Sequence, residues 1–247
     1  MVGGLNALKE VEEAATLQDR VEAVRLRVAA ACARVGTGPE SVALMAVTKA
    51  HGPDRASEIA EAGIRLMGES RVQEAAQKIP QCPGSIEWHF IGHLQTNKTN
   101  LAVSLFEMIH SVDSIKLLNS VETAASAQGR NMPVCLQVNV SGEGSKHGFN
   151  PDEVPAVLEQ AQSLTHVTVS GLMTIPPFAS EPETARPHFV KLRALRDAWR
   201  QESGFALDVL SMGMSHDYEV AIEEGSTCVR IGTAICGPRE KVKRGEG

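Results

Sequence analysis

The chain of 247 residues carries eight short apolar runs that alternate with stretches of helical periodicity. Strict alternation of strands with helices is typical of a parallel α/β protein. Several runs are apolar throughout, as expected for strands that are covered on both faces. The eight predicted strands are Val42–Val47, Ile64–Met67, Trp88–Ile91, Leu105–Ile109, Val134–Val140, Val167–Met173, Leu207–Leu210 and Cys228–Ile231.

Eight such units in about 200 residues favour a closed (β/α)8 barrel over an open doubly wound sheet. The first strand–helix turn lacks Gly-x-Gly-x-x-Gly, which removes the main support for a dinucleotide-binding fold. Apolar spacing predicts an extra helix over about residues 5–35, which ends before Gly36. We therefore predict a single domain over residues 1–247, with the barrel over about 42–237.

Composition excludes several classes of protein. A net charge of −6 without a long basic run argues against a nucleic-acid surface. The five cysteines are scattered and never form Cys-x-x-Cys, which disfavours a disulfide framework or a zinc site. No run approaches the roughly 18 apolar residues of a membrane span, and the N-terminus lacks a secretory pattern. We expect a soluble, cytoplasmic monomer without a metal.

Lys49 closes the first predicted strand. Active sites of (β/α)8 barrels form at the carboxyl ends of the strands. A lysine at this position is either a solvated strand end or a functional amine inside the mouth of the barrel. A neutral amine can form a Schiff base with an aldehyde.

The ends of strands 7 and 8 predict an anion site, because loops at these positions often bind phosphate. Ser211 to Ser215 lead into a helical segment over 217–224, and Gly232-Thr233 offer a close backbone approach and a hydroxyl. Taken singly, Ser215 is a helix cap and Gly232 a turn residue. Their joint placement favours a phosphate, and with Lys49 it predicts a phosphorylated aldehyde such as pyridoxal phosphate or a sugar phosphate.

Arg230 lies on the last predicted strand, on a different face from Val229 and Ile231. It is either a member of a buried ion pair or a ligand contact. A guanidinium that faces a pyridine nitrogen would donate to it. The ring would then stay unprotonated and become a weaker electron sink.

The chain resembles the pyridoxal phosphate homeostasis proteins, a family with a barrel like the N-terminal domain of alanine racemase. The resemblance covers about Val42 to Gly237, and its motifs occur in the order of the family. They are Ala46-Val-Thr-Lys49, Gly68-Glu-Ser-Arg-Val-Gln-Glu74, Trp88-His-Phe-Ile-Gly-His-Leu-Gln-Thr-Asn-Lys98, His110-Ser-Val-Asp113, Gln137-Val-Asn-Val140, Ser145-Lys-His-Gly148, Gly171-Leu-Met-Thr-Ile-Pro176, Ser211-Met-Gly-Met-Ser215 and Val229-Arg-Ile-Gly-Thr-Ala234.

This resemblance implies that Lys49 forms the internal aldimine of pyridoxal 5′-phosphate (PLP) and that Arg230 lies by the pyridine nitrogen. It also implies a set of residues around the phosphate. The family usually has Asn where this chain has Ser70, so any contact of that amide with PLP is in doubt. The implied phosphate ligands are Ser211, Met212 through its backbone, Ser215, Gly232 and Thr233.

A second catalytic base with a strong claim is not found. Tyr218 is the only tyrosine and falls early in the helix after strand 7. His93 and His110 at strand ends, and His89 within a strand, are interpreted as structural residues. Glu69 is interpreted as a member of an ion pair.

The resemblance implies a PLP-binding protein of intracellular PLP homeostasis, which buffers or delivers the cofactor without robust catalysis. PLP-requiring apoenzymes are the candidate recipients. The alternatives are a PLP-dependent amino-acid racemase or lyase and, on the residues alone, a Schiff-base aldolase acting on sugar phosphates.

Overall fold

The computed structural model describes residues 16–143 and 147–237, and these form the predicted (β/α)8 barrel. Eight parallel strands pair in chain order, and the first closes the barrel against the eighth. The strands are β1 (Ala43–Val47), β2 (Leu66–Glu69), β3 (Glu87–Phe90), β4 (Met108–Val112), β5 (Met132–Gln137), β6 (Val167–Met173), β7 (Val209–Met214) and β8 (Cys228–Ile231).

Helices cover the outside of the strands. Short 3-10 turns precede or follow several of them, at Pro39–Ser41, Ile79–Gln81, Thr96–Lys98, Pro151–Glu153 and Pro182–Ala185. The α-helices are α1 (Leu17–Arg34), α2 (Pro53–Glu61), α3 (Val72–Lys78), α4 (Thr99–Leu105), α5 (Ile115–Gln128), α6 (Val154–Ala161), α7 (Arg186–Ser203), α8 (Tyr218–Glu223) and α9 (Thr233–Cys236).

Helix α1 is the predicted extra helix. Thr16 caps it, because its hydroxyl accepts from Asp19 N–H while the Asp19 carboxylate accepts from Thr16 N–H. The predicted first turns from Leu5 to residue 15 lie outside the described residues. The helix packs against α8, where Arg34 pairs with Glu219 and Glu223.

Two strands begin and end later in the chain than the apolar runs predict. The predicted strand at Leu105–Ile109 begins inside α4, and β4 runs on to Val112; the predicted strand at Leu207–Leu210 continues as β7 to Met214. Polar residues that face the barrel interior interrupt both apolar runs. An apolar run therefore underestimates a strand whose inward positions carry hydrogen-bonding side chains.

The two faces of the strands have different surroundings. Outward side chains join the helices in one large apolar core, which includes Ile109, Val134 and Leu210. Inside the barrel, Met108, Cys135 and Met173 form a small separate cluster. All five cysteines lie within the described residues and all are free thiols. Among the helices described, none is long and apolar enough for a membrane crossing.

Candidate functional site

Lys49 lies in the turn directly after β1, at the carboxyl-terminal mouth of the barrel, and its side chain is exposed. Within the described parts of the chain, no hydrogen bond or ion pair occupies its amine. The next residue, Ala50, has φ 64°, a left-handed conformation that is uncommon outside glycine. The turn ends with His51 N–H donating to Thr48 O at 3.1 Å. Lys49 is therefore held at the mouth by a tight, conformationally restricted turn.

A buried cluster supports this turn from the outer side of β1 and β2. Lys78 Nζ donates to Thr48 O at 2.9 Å and to Glu69 Oε1 at 2.6 Å, and Thr48 Oγ1 donates to the same carboxylate oxygen at 2.7 Å. The Glu69 side chain is fully buried. The predicted ion-pair role of Glu69 is thus confirmed, while its partner Lys78 was not foreseen. The cluster fixes the residue immediately before Lys49.

Ser215, Gly232 and Thr233 come together at the ends of β7 and β8. Gly232 N–H donates to Ser215 Oγ at 3.1 Å, and Thr233 is exposed beside them. The space at Gly232 is open, because a Cβ there would meet only Val47, at 3.8 Å. Since β1 and β8 are neighbours, this group lies on the same sector of the mouth as Lys49.

Ser211 and Met212 lie deeper than predicted, within β7 rather than at its end. Both are fully buried. The Met212 carbonyl accepts from Ser226 Oγ at 2.7 Å, and the Ser211 hydroxyl contacts Arg230 and His110 inside the barrel. The apolar run that predicts strand 7 ends at Leu210, and this is why Ser211 and Met212 were expected at the rim.

Arg230 points its guanidinium into the barrel below the mouth. Nη1 donates to Ser211 Oγ at 2.6 Å, and Nη2 donates to Thr174 O at 2.9 Å. Burial lowers the pKa of Arg230 from its ordinary value, yet a guanidinium stays protonated in a protein. Two of its five donors are engaged in these contacts, and others remain for a ligand.

Ser70 lies at the end of β2, half-buried. It lines a groove of about 280 Å³ with His93, Gln95 and Lys98. This groove follows β2 and β3, whereas Lys49 and Gly232 follow β1 and β8. Among the residues described, none forms a hydrogen bond with the Ser70 hydroxyl.

The chain is similar in sequence to proteins of one known family. A family model described as "Alanine racemase, N-terminal domain" matches residues 20–240. The pyridoxal phosphate homeostasis protein of Aquifex aeolicus (strain VF5) is 42% identical over 223 residues, which is 90% of this chain and 98% of that protein. The chain belongs to the pyridoxal phosphate homeostasis protein family.

A solved structure of the PipY protein of Synechococcus elongatus PCC7942, without PLP, superposes with a TM-score of 0.82 at 35% identity, covering 90% of this chain and all of PipY. The same protein solved with PLP bound gives a TM-score of 0.79 at 34% identity, with the same coverage. The family and the barrel predicted from the sequence are both confirmed.

A second feature of this family member is a hydrogen-bonded row through the barrel interior. Glu87 Oε1 lies 2.8 Å from His89 Nε2, and His89 Nδ1 lies 3.0 Å from His110 Nε2. His110 Nδ1 then lies 2.8 Å from Ser211 Oγ, which contacts Arg230. The structural roles predicted for His89 and His110 agree with these contacts. The hydrogen bond between them could not be predicted from the sequence.

The protonated form of both His89 and His110 is disfavoured. Burial lowers the pKa of His89, and the Glu87 carboxylate opposes that change only in part. Burial holds the pKa of His110 well below its usual range, and His89 and Arg230 lower it further. At neutral pH each ring is therefore uncharged, with a hydrogen on only one of its two nitrogens.

His93, Asp113 and His147 meet on the opposite sector of the mouth. Their ligand-type atoms lie within 4.8 Å of one another, a proximity that the sequence did not reveal. The two imidazole rings stack with centroids 4.2 Å apart and planes at 19°. A metal ion lies close to the plane of each imidazole that binds it, along the nitrogen lone pair. Nearly parallel stacked rings share no such point, so this arrangement is a carboxylate–histidine contact.

Tyr218 lies outside the barrel, between α8 and α1. It is fully buried, and the Arg27 guanidinium lies 5.2 Å from its ring centroid. Burial raises the pKa of the phenol. The tyrosine is therefore a packing residue against α1.

Proposed function

We propose that this protein binds PLP and contributes to PLP homeostasis by holding the cofactor and releasing it to apoenzymes. The observation that carries the proposal is the placement of Lys49, whose amine has no partner among the described residues, beside the Ser215–Gly232–Thr233 group at the ends of β1, β7 and β8. The family membership and the PLP-bound structure of PipY support it.

The chemistry of these donors fits PLP. A phosphate needs hydroxyl and amide donors in a place where its oxygens can approach the backbone, and the open space at Gly232 permits that approach. Arg230 is a protonated donor below the mouth, suited to a ring nitrogen. Ser211 and Met212 are left out of the phosphate contacts, because both are buried within β7.

Lys49 is proposed to hold the cofactor covalently. PLP would supply an aldehyde when bound, and the primary amine of Lys49 would be the group placed to hold it as a Schiff base, with release of water. The tight turn at Thr48–Ala50 keeps the amine at the mouth, and the Glu69–Lys78 pair holds that turn.

A holding role is favoured over racemase or lyase activity by the donor proposed for the ring nitrogen. Arg230 does not give up its proton, so a ring nitrogen that accepted from it would stay unprotonated, and the ring would stabilise a carbanion poorly. Tyr218 is packed outside the barrel and offers no second base at the mouth.

The visible absorption spectrum tests the proposal. Wild-type protein incubated with PLP should show a yellow band that borohydride reduces, and Lys49→Ala should lack it. Lys116→Ala removes an exposed lysine from α5 and is the matched control, expected to keep the band. A wild type that stays colourless, or a band retained in Lys49→Ala, would overturn the proposed attachment.

Two further measurements separate holding from catalysis. Transfer of PLP from the loaded protein to a PLP-requiring apoenzyme should restore the activity of that enzyme. Exchange of the α-proton of amino acids in deuterated water should remain at the rate seen with free PLP. Rapid exchange catalysed by the protein would instead favour the racemase or lyase alternative. A monomer and a cytoplasmic location stay predictions, the first of which sedimentation of the loaded protein would check.

A further inference from the structure

The hydrogen-bonded row inside the barrel links its two ends. Glu87 is the first residue of β3, at the amino-terminal end of the barrel, and its side chain is 58% exposed. Arg230 lies below the mouth, on β8. The residues between them, His89, His110 and Ser211, are buried, and each contacts the next at 2.8–3.0 Å.

The carboxylate of Glu87 fixes the direction of the donors. An ionised carboxylate only accepts, so His89 Nε2 must carry the hydrogen. A neutral His89 then has a lone pair on Nδ1, which requires a hydrogen on His110 Nε2. His110 Nδ1 is in turn an acceptor, and the Ser211 hydroxyl donates a hydrogen bond to it. The hydroxyl oxygen keeps its lone pairs for Arg230.

Each step therefore has one donor and one acceptor, and all run the same way. Arg230 donates to Ser211, Ser211 to His110, His110 to His89, and His89 to Glu87. With Nη1 bound to Ser211 and Nη2 to Thr174 O, the planar guanidinium is held at two points. Its rotation about the terminal bonds is restricted by those two contacts.

We propose that Glu87, His89, His110 and Ser211 are positioning residues, a one-directional donor chain that orients the Arg230 guanidinium toward the ring nitrogen of the cofactor. The inference rests on the proposed binding of PLP for the part that concerns the ring. The direction of the chain is a property of the protein alone.

The first experiment uses the protein without added PLP. Ring 15N shifts in NMR spectra report which nitrogen of each histidine bears hydrogen, and both His89 and His110 should be Nε2–H tautomers. Glu87→Lys replaces the terminal acceptor with a donor. It should convert both rings to Nδ1–H, although His110 does not touch residue 87.

Glu107→Lys is the matched control, because Glu107 is also exposed, at 60%, and its charge also acts on His89. It makes the same charge change without a hydrogen bond to the ring. Both tautomers should stay Nε2–H in this variant. A wild type with Nδ1–H or charged rings, or equal spectra for the two lysine variants, would overturn the proposed direction.

The second experiment measures PLP affinity. Ser211→Ala removes one of the two contacts that hold Arg230, so the Kd for PLP should rise roughly fivefold to tenfold, as for the net contribution of one typical hydrogen bond. Ser226→Ala removes another buried serine hydroxyl between β7 and β8 and should leave the Kd unchanged. Glu87→Lys should also weaken PLP binding severalfold. Because Glu87 is exposed, this substitution should leave the protein folded.

The outcomes are separable. An unchanged Kd in both Ser211→Ala and Glu87→Lys would overturn the positioning role even with the expected tautomers. A wild type that binds no PLP would overturn the proposed function together with the role toward the ring, and the tautomers would still decide the direction of the chain.

Discussion

The outward and inward faces of the barrel strands are held by different interactions. Outward side chains such as Ile109 and Leu210 pack with the helices in a continuous apolar core. The inward face carries His89, His110 and Arg230, where barrels usually stack branched aliphatic layers. Apolar packing depends on volume and adapts to small changes in shape. A buried polar row depends on having every donor matched with an acceptor. The outward face therefore specifies the fold, whereas the inward face limits which substitutions are tolerated among the polar side chains below the mouth.

The largest effect is expected from a cavity in the outward face. Phe106 is fully buried, with its ring centroid 5.1 Å from that of Phe90. Phe106→Ala should lower the free energy of unfolding by about 3–5 kcal/mol, measured by urea denaturation. Phe178→Ala is the control, since Phe178 is 90% exposed, and should stay within about 0.5 kcal/mol of wild type. A cost for Phe106→Ala as small as the control would show that this layer is loosely packed.

The buried Glu69–Lys78 pair is a polar exception within the outward face. Lys78→Met should cost about 3 kcal/mol of stability, because it leaves a carboxylate buried without its cation. Adding Glu69→Gln should recover much of that cost. Equilibrium unfolding of the two variants tests this expectation. If the double variant were no more stable than Lys78→Met, desolvation of the carboxylate would not be the cause.

A pH titration of stability sharpens the contrast from the inward side. Burial lowers the pKa of His89 and His110, so below about pH 6.5 the unfolded chain binds protons that the folded protein does not. Stability should therefore fall as the pH drops below 6.5, by up to about 1.4 kcal/mol per pH unit for each histidine. His110→Asn should reduce the slope by about one proton relative to wild type. Equal slopes in the two proteins would contradict the assignment.

The smallest effect on stability is expected at the mouth. Gly232→Ala places a methyl group 3.8 Å from Val47, an ordinary contact, and should change the free energy of unfolding by less than about 0.5 kcal/mol. The same methyl group occupies the space proposed for phosphate oxygens, so PLP affinity should fall severalfold. Thermal unfolding and PLP titration of one sample separate the two. An unaltered affinity would move the phosphate away from Gly232.

The apolar runs were sufficient to predict all eight strands, because the outward face requires them. They were insufficient at β4 and β7, where His110 and Ser211 continue the strand with polar side chains that face inward. That error placed Ser211 at the rim. Lys49, Ser215, Gly232 and Thr233 were located correctly at strand ends, because topology alone brings the carboxyl ends of the strands to one mouth.

Partnerships between distant side chains were beyond a single sequence. Lys78 resembles any solvated residue at the end of a helix, yet it is buried against Glu69 and Thr48. Likewise, His89 and His110 are separated by a helix and a loop, and only closure of the barrel brings them to Ser211. Periodicity reports which face of an element is apolar. It does not report which polar side chains meet inside.

The single direction of the interior row has a consequence for inheritance. A side chain that can only donate, placed where Glu87 stands, would require each later member to exchange its roles of donor and acceptor. His89, His110 and Ser211 can each make that exchange by moving a hydrogen, whereas a side chain unable to both donate and accept would interrupt the row at its own position. Across descendants of this protein, residue 87 should therefore vary more freely than the three residues that join it to Arg230.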